Sequence, residues 1–362
     1  MKLNQIVKAG LITVAAALSF SAQAGSNGIT VSIAPEKAKL GAKDDVSFTV
    51  TMKNTSAKPQ FMLKWNTPFG DEIEESLFDI TRDGVKVAYQ GAHYKRPSPT
   101  AADYYVLKPG ATHTMKVELS GMYDMSITGD YAVRYHTRSF NLFSTDLDTR
   151  GVVSTEKELG EVQSDTVSIW IDGRLPRGSV TQKAAAPINT AVTGSLSFNK
   201  CTASQQADIT TARTQALTYA TDADAYMGRG TAGPRYTKWF GANDSARFSA
   251  VKSHYIAIKD AFTTKPITVD CGCKKTYYAY VFPTQPYTIY VCKAFWTAPM
   301  VGTDSKGGTL VHEMSHFNAT AGTDDWVYGQ TGAASLAISD PAKATDNADS
   351  HEYFGENNPA QQ

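Results

Sequence analysis

The sequence predicts two architectures in one chain, an all-β sandwich in the first half and an α+β unit in the second. Three observations predict it. Short alternating apolar runs separated by turn residues fill the stretch from Gly25 to Ile171. Helical spacing of apolar residues begins only after Cys201. Between the halves runs a segment without any apolar period, rich in Thr and Ala. Periods of two and of 3.6 residues mark strands and helices because side chains return to one face at those repeats.

The chain has 362 residues, of which 42% are hydrophobic and 19% charged. That length suits two domains of ordinary size, and the composition excludes a disordered or fibrous chain. Lys plus Arg and Asp plus Glu number 35 each. No overall field therefore draws the chain to nucleic acid or to an anionic membrane.

Residues 1–24 read as a signal peptide. Lys2 and Lys8 form a positive region, Ala9 to Phe20 a short apolar run, and Ala22-Gln23-Ala24 a small-x-small cleavage pattern. The run is shorter than the about 20 residues that a membrane span needs, so we expect a secreted protein without a membrane anchor. Export alters the reading of Cys201, Cys271, Cys273 and Cys292. An even number in an oxidising compartment predicts two disulfides, and spacing leaves the pairing open. A four-cysteine zinc site is disfavoured, because Cys271 and Cys273 are closer than the usual knuckle spacing.

Strands are expected at Ile29 to Ile33, Val46 to Val50, Phe61 to Trp65, Val85 to Tyr89 and Tyr104 to Leu107. The series continues at Thr114 to Leu119, Tyr131 to Tyr135 and Val167 to Ile171. Turn residues such as Asp83-Gly84 and Lys108-Pro109-Gly110 separate them. This grammar predicts an immunoglobulin-like β-sandwich over residues 25–172, without any catalytic motif. Residues 173–194, with Arg174, Arg177, Lys183 and Pro187, read as an exposed, cleavable linker. In the second half, Ala207 to Met227 and Phe248 to Phe262 carry helical spacing. Tyr277 to Val281 and Tyr287 to Val291 read as short strands, and Thr309 to Phe317 as a helix.

That last helix carries His312-Glu313-Met314-Ser315-His316, an H-E-x-x-H pattern. Residues four apart share a helix face, so both imidazoles can reach one zinc ion while Glu313 serves as proton carrier. A catalytic zinc site needs a third ligand and an open position. The segment Gly322 to Gly329 offers Asp324 and Asp325, between which spacing does not choose. We read His254 as an ordinary helix residue, and place His93, His113 and His136 in the β half, where meeting the metal in a zymogen is the disfavoured alternative.

H-E-x-x-H followed by Gly322-Thr323-Asp324-Asp325-Trp326-Val327-Tyr328-Gly329 resembles the signature of the aspzincins, zinc endopeptidases that include deuterolysins and peptidyl-Lys metalloendopeptidases. The resemblance runs from about Cys201 to the C-terminus and looks strongest to the lysine-specific branch and related bacterial secreted toxins. It implies a zincin-like α+β catalytic domain over residues 195–362 and one catalytic Zn2+ held by His312, His316 and Asp325. It also implies Glu313 as general base and Tyr328 as oxyanion donor. The disulfide pairs implied are Cys201–Cys271 and Cys273–Cys292. Asn347 to Phe354 is similar to the branch's specificity loop, which would place Asp349 and Glu352 where the lysine after the scissile bond is accepted. His351 departs from that loop. We therefore expect a secreted, monomeric zinc endopeptidase made as a zymogen, with protein substrates cut before lysine and its own β-sandwich prodomain as partner. Gln182–Lys183 is a candidate processing bond. The alternatives are broad specificity, or a secreted binding protein with a structural zinc.

Overall fold

The computed structural model describes residues 26–70, 72–147, 153–155, 159–179 and 194–362. The expected signal peptide, most of the expected linker and the candidate Gln182–Lys183 processing bond lie outside these residues.

The first half is built on β-hairpin physics. In Ser47–Asn54, Phe48, Val50 and Met52 point inward and are fully buried, whereas the intervening threonines remain half-exposed. This strand lies between Ile29–Pro35 and Thr112–Glu118, antiparallel to both. A second sheet is centred on Gly129–Ser139, flanked by Val167–Asp172 and Phe78–Arg82. A third joins Gln60–Leu63 to Tyr104–Leu107 and Phe143–Leu147. Lys39–Gly41 pairs in parallel with Val167–Asp172. This half is all-β, with its own apolar core, and an immunoglobulin-like order does not follow from its hydrogen bonding.

Two expected strands are shorter than their apolar runs. Phe61 to Trp65 divides into the strand Gln60–Leu63 and a 3-10 turn at Lys64–Asn66. Val85 to Tyr89 is strand only at Val85–Lys86, which returns on Phe78–Arg82 across Asp83 and Gly84. Both turn residues have positive φ, 51° and 81°, as a two-residue hairpin requires.

The second half packs helices on a five-stranded sheet. α1 (Ala203–Gly228) starts at a Thr202–Gln205 capping box, and α3 (Ser245–Thr264) starts at Asp244. α2 (Pro234–Phe240) and α4 (Lys293–Thr297) are short. α5 (Lys306–His316) is buried along its whole length among α1, α3 and the C-terminal helix Ala348–Glu356. α6 (Gly329–Ser339), α7 (Pro341–Thr345) and α8 (Ala348–Glu356) close the chain. Disulfides Cys201–Cys271 and Cys273–Cys292 tie the sheet to its neighbouring loops.

The sheet runs Leu196–Asn199, Ile267–Asp270, Thr288–Val291, Ala279–Val281 and then His93–Lys95. The fifth strand is supplied by the β half. It pairs antiparallel with Ala279–Val281 and brings the first half across the face of α5. Among the described residues, no helix is long and apolar enough to cross a membrane.

Candidate metal centre and the strand that covers it

α5 is positioned by its own N-terminus. Ser305 Oγ accepts from the Gly308 amide at 2.9 Å, and Glu356 of α8 accepts from both the Ser305 amide and its hydroxyl at 2.8 Å. A Cβ at position 308 would collide with the Glu356 carboxylate, so glycine permits the close approach of the two helices. α5 ends at His316. Gly322, at φ +62°, turns the chain back, and the Thr323 amide donates to Ser315 O at 3.1 Å. The Asn347 side-chain oxygen then accepts from the Trp326 and Val327 amides at 3.0 and 3.2 Å, seating the metal loop against α8.

This folding brings three atoms together. His312 Nε2 and His316 Nε2 are 3.1 Å apart, His312 Nε2 is 3.2 Å from Asp325 Oδ1, and His316 Nε2 is 3.4 Å from Asp325 Oδ2. Those separations fit an ion held about 2.0–2.1 Å from each atom in a tetrahedron. All three side chains are fully buried, and neither Asp325 oxygen has a hydrogen-bond partner. Buried carboxylate oxygens of that kind are what a cation would satisfy. His316 Nδ1 is 2.8 Å from Thr323 O, which sets the ring to present Nε2 inward. Burial drives His316 down to about 3, so its Nε2 lone pair is free. Burial opposes the charge on Asp325, but His316 and His312 outweigh it and hold the carboxyl well below its usual range. Asp324, which spacing could not distinguish from Asp325, turns away, its Oδ1 3.4 Å from His93 Nδ1.

Glu313 is fully buried beside the cluster, and burial pushes its carboxyl up to about 8. Neither oxygen makes a regular hydrogen bond, although the Lys95 backbone amide favours the ionised form. Tyr328 donates to Tyr94 O at 2.8 Å and accepts from Arg96 Nη1 at 2.7 Å. Glu352 Oε2, Asp304 Oδ1 and Asp349 Oδ1 surround Lys95 Nζ at 2.5, 3.1 and 3.5 Å. Burial opposes charge on Lys95, and these carboxylates overcome it to hold the ammonium well above its usual range. The rings of Tyr278 and Tyr353 complete the pocket, 5.1 and 5.7 Å from Nζ.

The reading of His93 as a bystander requires correction. Its ring centroid lies 4.9 Å from that of His316, and it offers a ligand atom within 4.8 Å of His316 and Asp325. Burial disfavours its charge, but Asp324, Asp325 and Glu75 outweigh that and lift it to about 9. His113 and His136 pair instead within the β half, with Tyr105, Asp79 and Glu161. His254 meets His351, with 2.9 Å between Nδ1 and Nε2. Sequence reasoning also missed Asp304, Lys95, Arg96 and Glu75. A three-residue strand carries no legible alternation, and nothing in its sequence marks a partner in the other half.

Residues 225–356 match a family described as lysine-specific metallo-endopeptidase, the aspzincins. An extracellular protease of Aeromonas hydrophila is 45% identical over 323 residues, covering 89% of this chain and 90% of its own. A peptidyl-Lys metalloendopeptidase of Grifola frondosa is 33% identical, covering 98% of this chain and 99% of its own. A solved zinc peptidase from Grifola frondosa is 47% identical and superposes with a TM-score of 0.44, covering 45% of this chain and 100% of its own. With relatives aligned along nearly their full lengths and the motif intact, this chain belongs to the aspzincin family of zinc metalloendopeptidases.

Proposed function

We propose that this zinc endopeptidase is secreted, is made as a zymogen, and hydrolyses proteins on the N-terminal side of lysine. The observation that carries the lysine preference is the seat of Lys95. A buried ammonium faces three carboxylates at 2.5, 3.1 and 3.5 Å. An uncharged side chain there would leave buried carboxylates unpaired, so the pocket selects for a cation. Zymogen character is supported by the same contact, since the β half lays its own strand over the metal cluster and fills the pocket.

His312, His316 and Asp325 would hold the zinc, whose chemistry when bound is to polarise the scissile carbonyl and acidify water. Glu313 takes a proton from the attacking water and returns it to the leaving nitrogen. Tyr328 donates to the carbonyl oxygen as negative charge develops on it. Asp349, Glu352 and Asp304 hold the lysine that follows the cut bond, and α8 keeps the first two rigid. In this reading, residues 1–24 direct export, residues 25–172 are the prodomain, residues 173–194 the linker cut on activation, and residues 195–362 the protease.

Mapping the bonds cut in a denatured protein tests the preference. Lysine should dominate the position after the cut. A spread across uncharged residues would leave an aspzincin of broad specificity.

A further inference from the structure

The strand His93–Lys95 lies over the metal cluster in the register of a substrate. Lys95 stands opposite Ala279, Tyr94 opposite Tyr280 and His93 opposite Val281, and the Tyr278 amide donates to Lys95 O at 2.9 Å. Hydrolysis before lysine requires three things around one peptide bond. The lysine side chain must be in the selector, the preceding carbonyl must be on the oxyanion donor, and the amide nitrogen must face the proton carrier. Around Tyr94–Lys95 the first two are met by distance, and the proton carrier Glu313 stands buried on α5, against which this strand packs. Lys95 Nζ sits among Glu352, Asp304 and Asp349 at 2.5, 3.1 and 3.5 Å, and Tyr94 O accepts from Tyr328 at 2.8 Å. Tyr94 itself packs against Tyr277 and Tyr280, with ring centroids 5.4 and 5.3 Å apart, so both sides of the bond are held.

We propose that Tyr94–Lys95 is a processing site, hydrolysed by the chain's own active site in cis. The inference rests on the lysine-directed reading above and adds a cut inside the prodomain itself. One water is consumed. Its oxygen bonds to the Tyr94 carbonyl carbon, the Tyr94–Lys95 C–N bond breaks, and a proton passes by way of Glu313 to the Lys95 nitrogen. The second water proton moves from the new acid to the same nitrogen, so the products are a Tyr94 carboxylate and a Lys95 α-ammonium. The reaction is intramolecular because Lys95 and Arg96 are 0% and 2% exposed, which closes the bond to the active site of a second molecule. Once cut, the three-residue strand is divided, and the prodomain is joined across the cleft only by what flanks it.

The test uses the full secreted chain, wild type and Glu313→Gln, supplied with zinc and followed by intact mass and N-terminal analysis. An added lysine peptide runs in the same tube. Wild type should release a fragment beginning at Lys95, with a rate constant that does not change with protein concentration, and Glu313→Gln should release none. Lys95→Ala should lose this fragment. Should that variant misfold, the concentration dependence of the wild type decides alone. An intact Tyr94–Lys95 bond in wild type that cuts the added peptide before lysine overturns this inference and leaves the lysine reading standing. A rate that rises with concentration overturns the cis assignment. If the added peptide is cut elsewhere than before lysine, the lysine reading itself falls.

Discussion

Asp349 Oδ1 stands 2.9 Å from His312 Nδ1 and 3.5 Å from Lys95 Nζ, so one carboxylate faces both the metal helix and the lysine pocket. Glu352 is placed differently, 2.5 Å from the ammonium and 3.4 Å from the same imidazole nitrogen. A carboxylate on the outer nitrogen of a metal-binding histidine fixes its orientation and raises its basicity. Asp349→Asn should therefore weaken zinc binding by about tenfold as well as blunt lysine preference. Glu352→Gln should blunt the preference with a smaller effect on zinc. Chelator competition and cleavage of paired lysine and norleucine peptides separate the two, and equal zinc losses would refute the distinction.

Glu313 and Tyr328 act on the same bond from its two sides in the proposed mechanism. Glu313→Gln should lower kcat by about 10²–10⁴-fold while zinc remains bound. Tyr328→Phe should lower kcat by about 10²–10³-fold with a smaller change in KM. Measured kcat values close to wild type would remove either residue from its role.

Asp304 adds a third carboxylate to the pocket from the loop before α5, at φ +51°. Asparagine tolerates that backbone conformation, so Asp304→Asn removes charge without forcing the loop. Its side chain is 36% exposed, which limits the effect to about a two- to fivefold rise in KM for lysine peptides. Steady-state kinetics would check this, and a KM unchanged for lysine peptides would show that the other two carboxylates suffice.

The pair of half-buried His254 and fully buried His351 makes stability sensitive to acid. Burial holds them at about 4 and about 3, below the ordinary 6.5. The unfolded chain takes up these protons first as pH falls, so their contribution is fully present above about 6.5 and is lost progressively on descending toward 4 and 3. Thermal unfolding across that window should show the advantage of wild type over His254→Gln shrinking as the pH drops. A difference that stays constant with pH would contradict the assignment.

Much of the candidate metal centre was legible because it is local. The four-residue spacing of His312 and His316 puts two imidazoles on one face of any helix, and Gly322 announces the turn that returns a carboxylate to them. The all-β first half and the helices α1, α3 and α5 were likewise carried by their periods, down to the inward Phe48, Val50 and Met52. Where strand ends fell was less legible, since the run Val85 to Tyr89 leaves its hairpin with Phe78–Arg82 after only two residues.

What the sequence by itself determined is a metalloprotease motif on a helix, joined to a β-rich half. Tertiary structure alone decided how the halves meet. Asp325 rather than Asp324 faces the imidazoles because the loop is pinned by Asn347 and because His93, from the other half, engages Asp324. Lys95 finds its three carboxylates through pairing between strands remote in sequence, with Asp304 and α8 contributed from two further places. Such contacts carry no period along the chain. They exist only once burial makes an unpaired ammonium or carboxylate costly enough to require its partner.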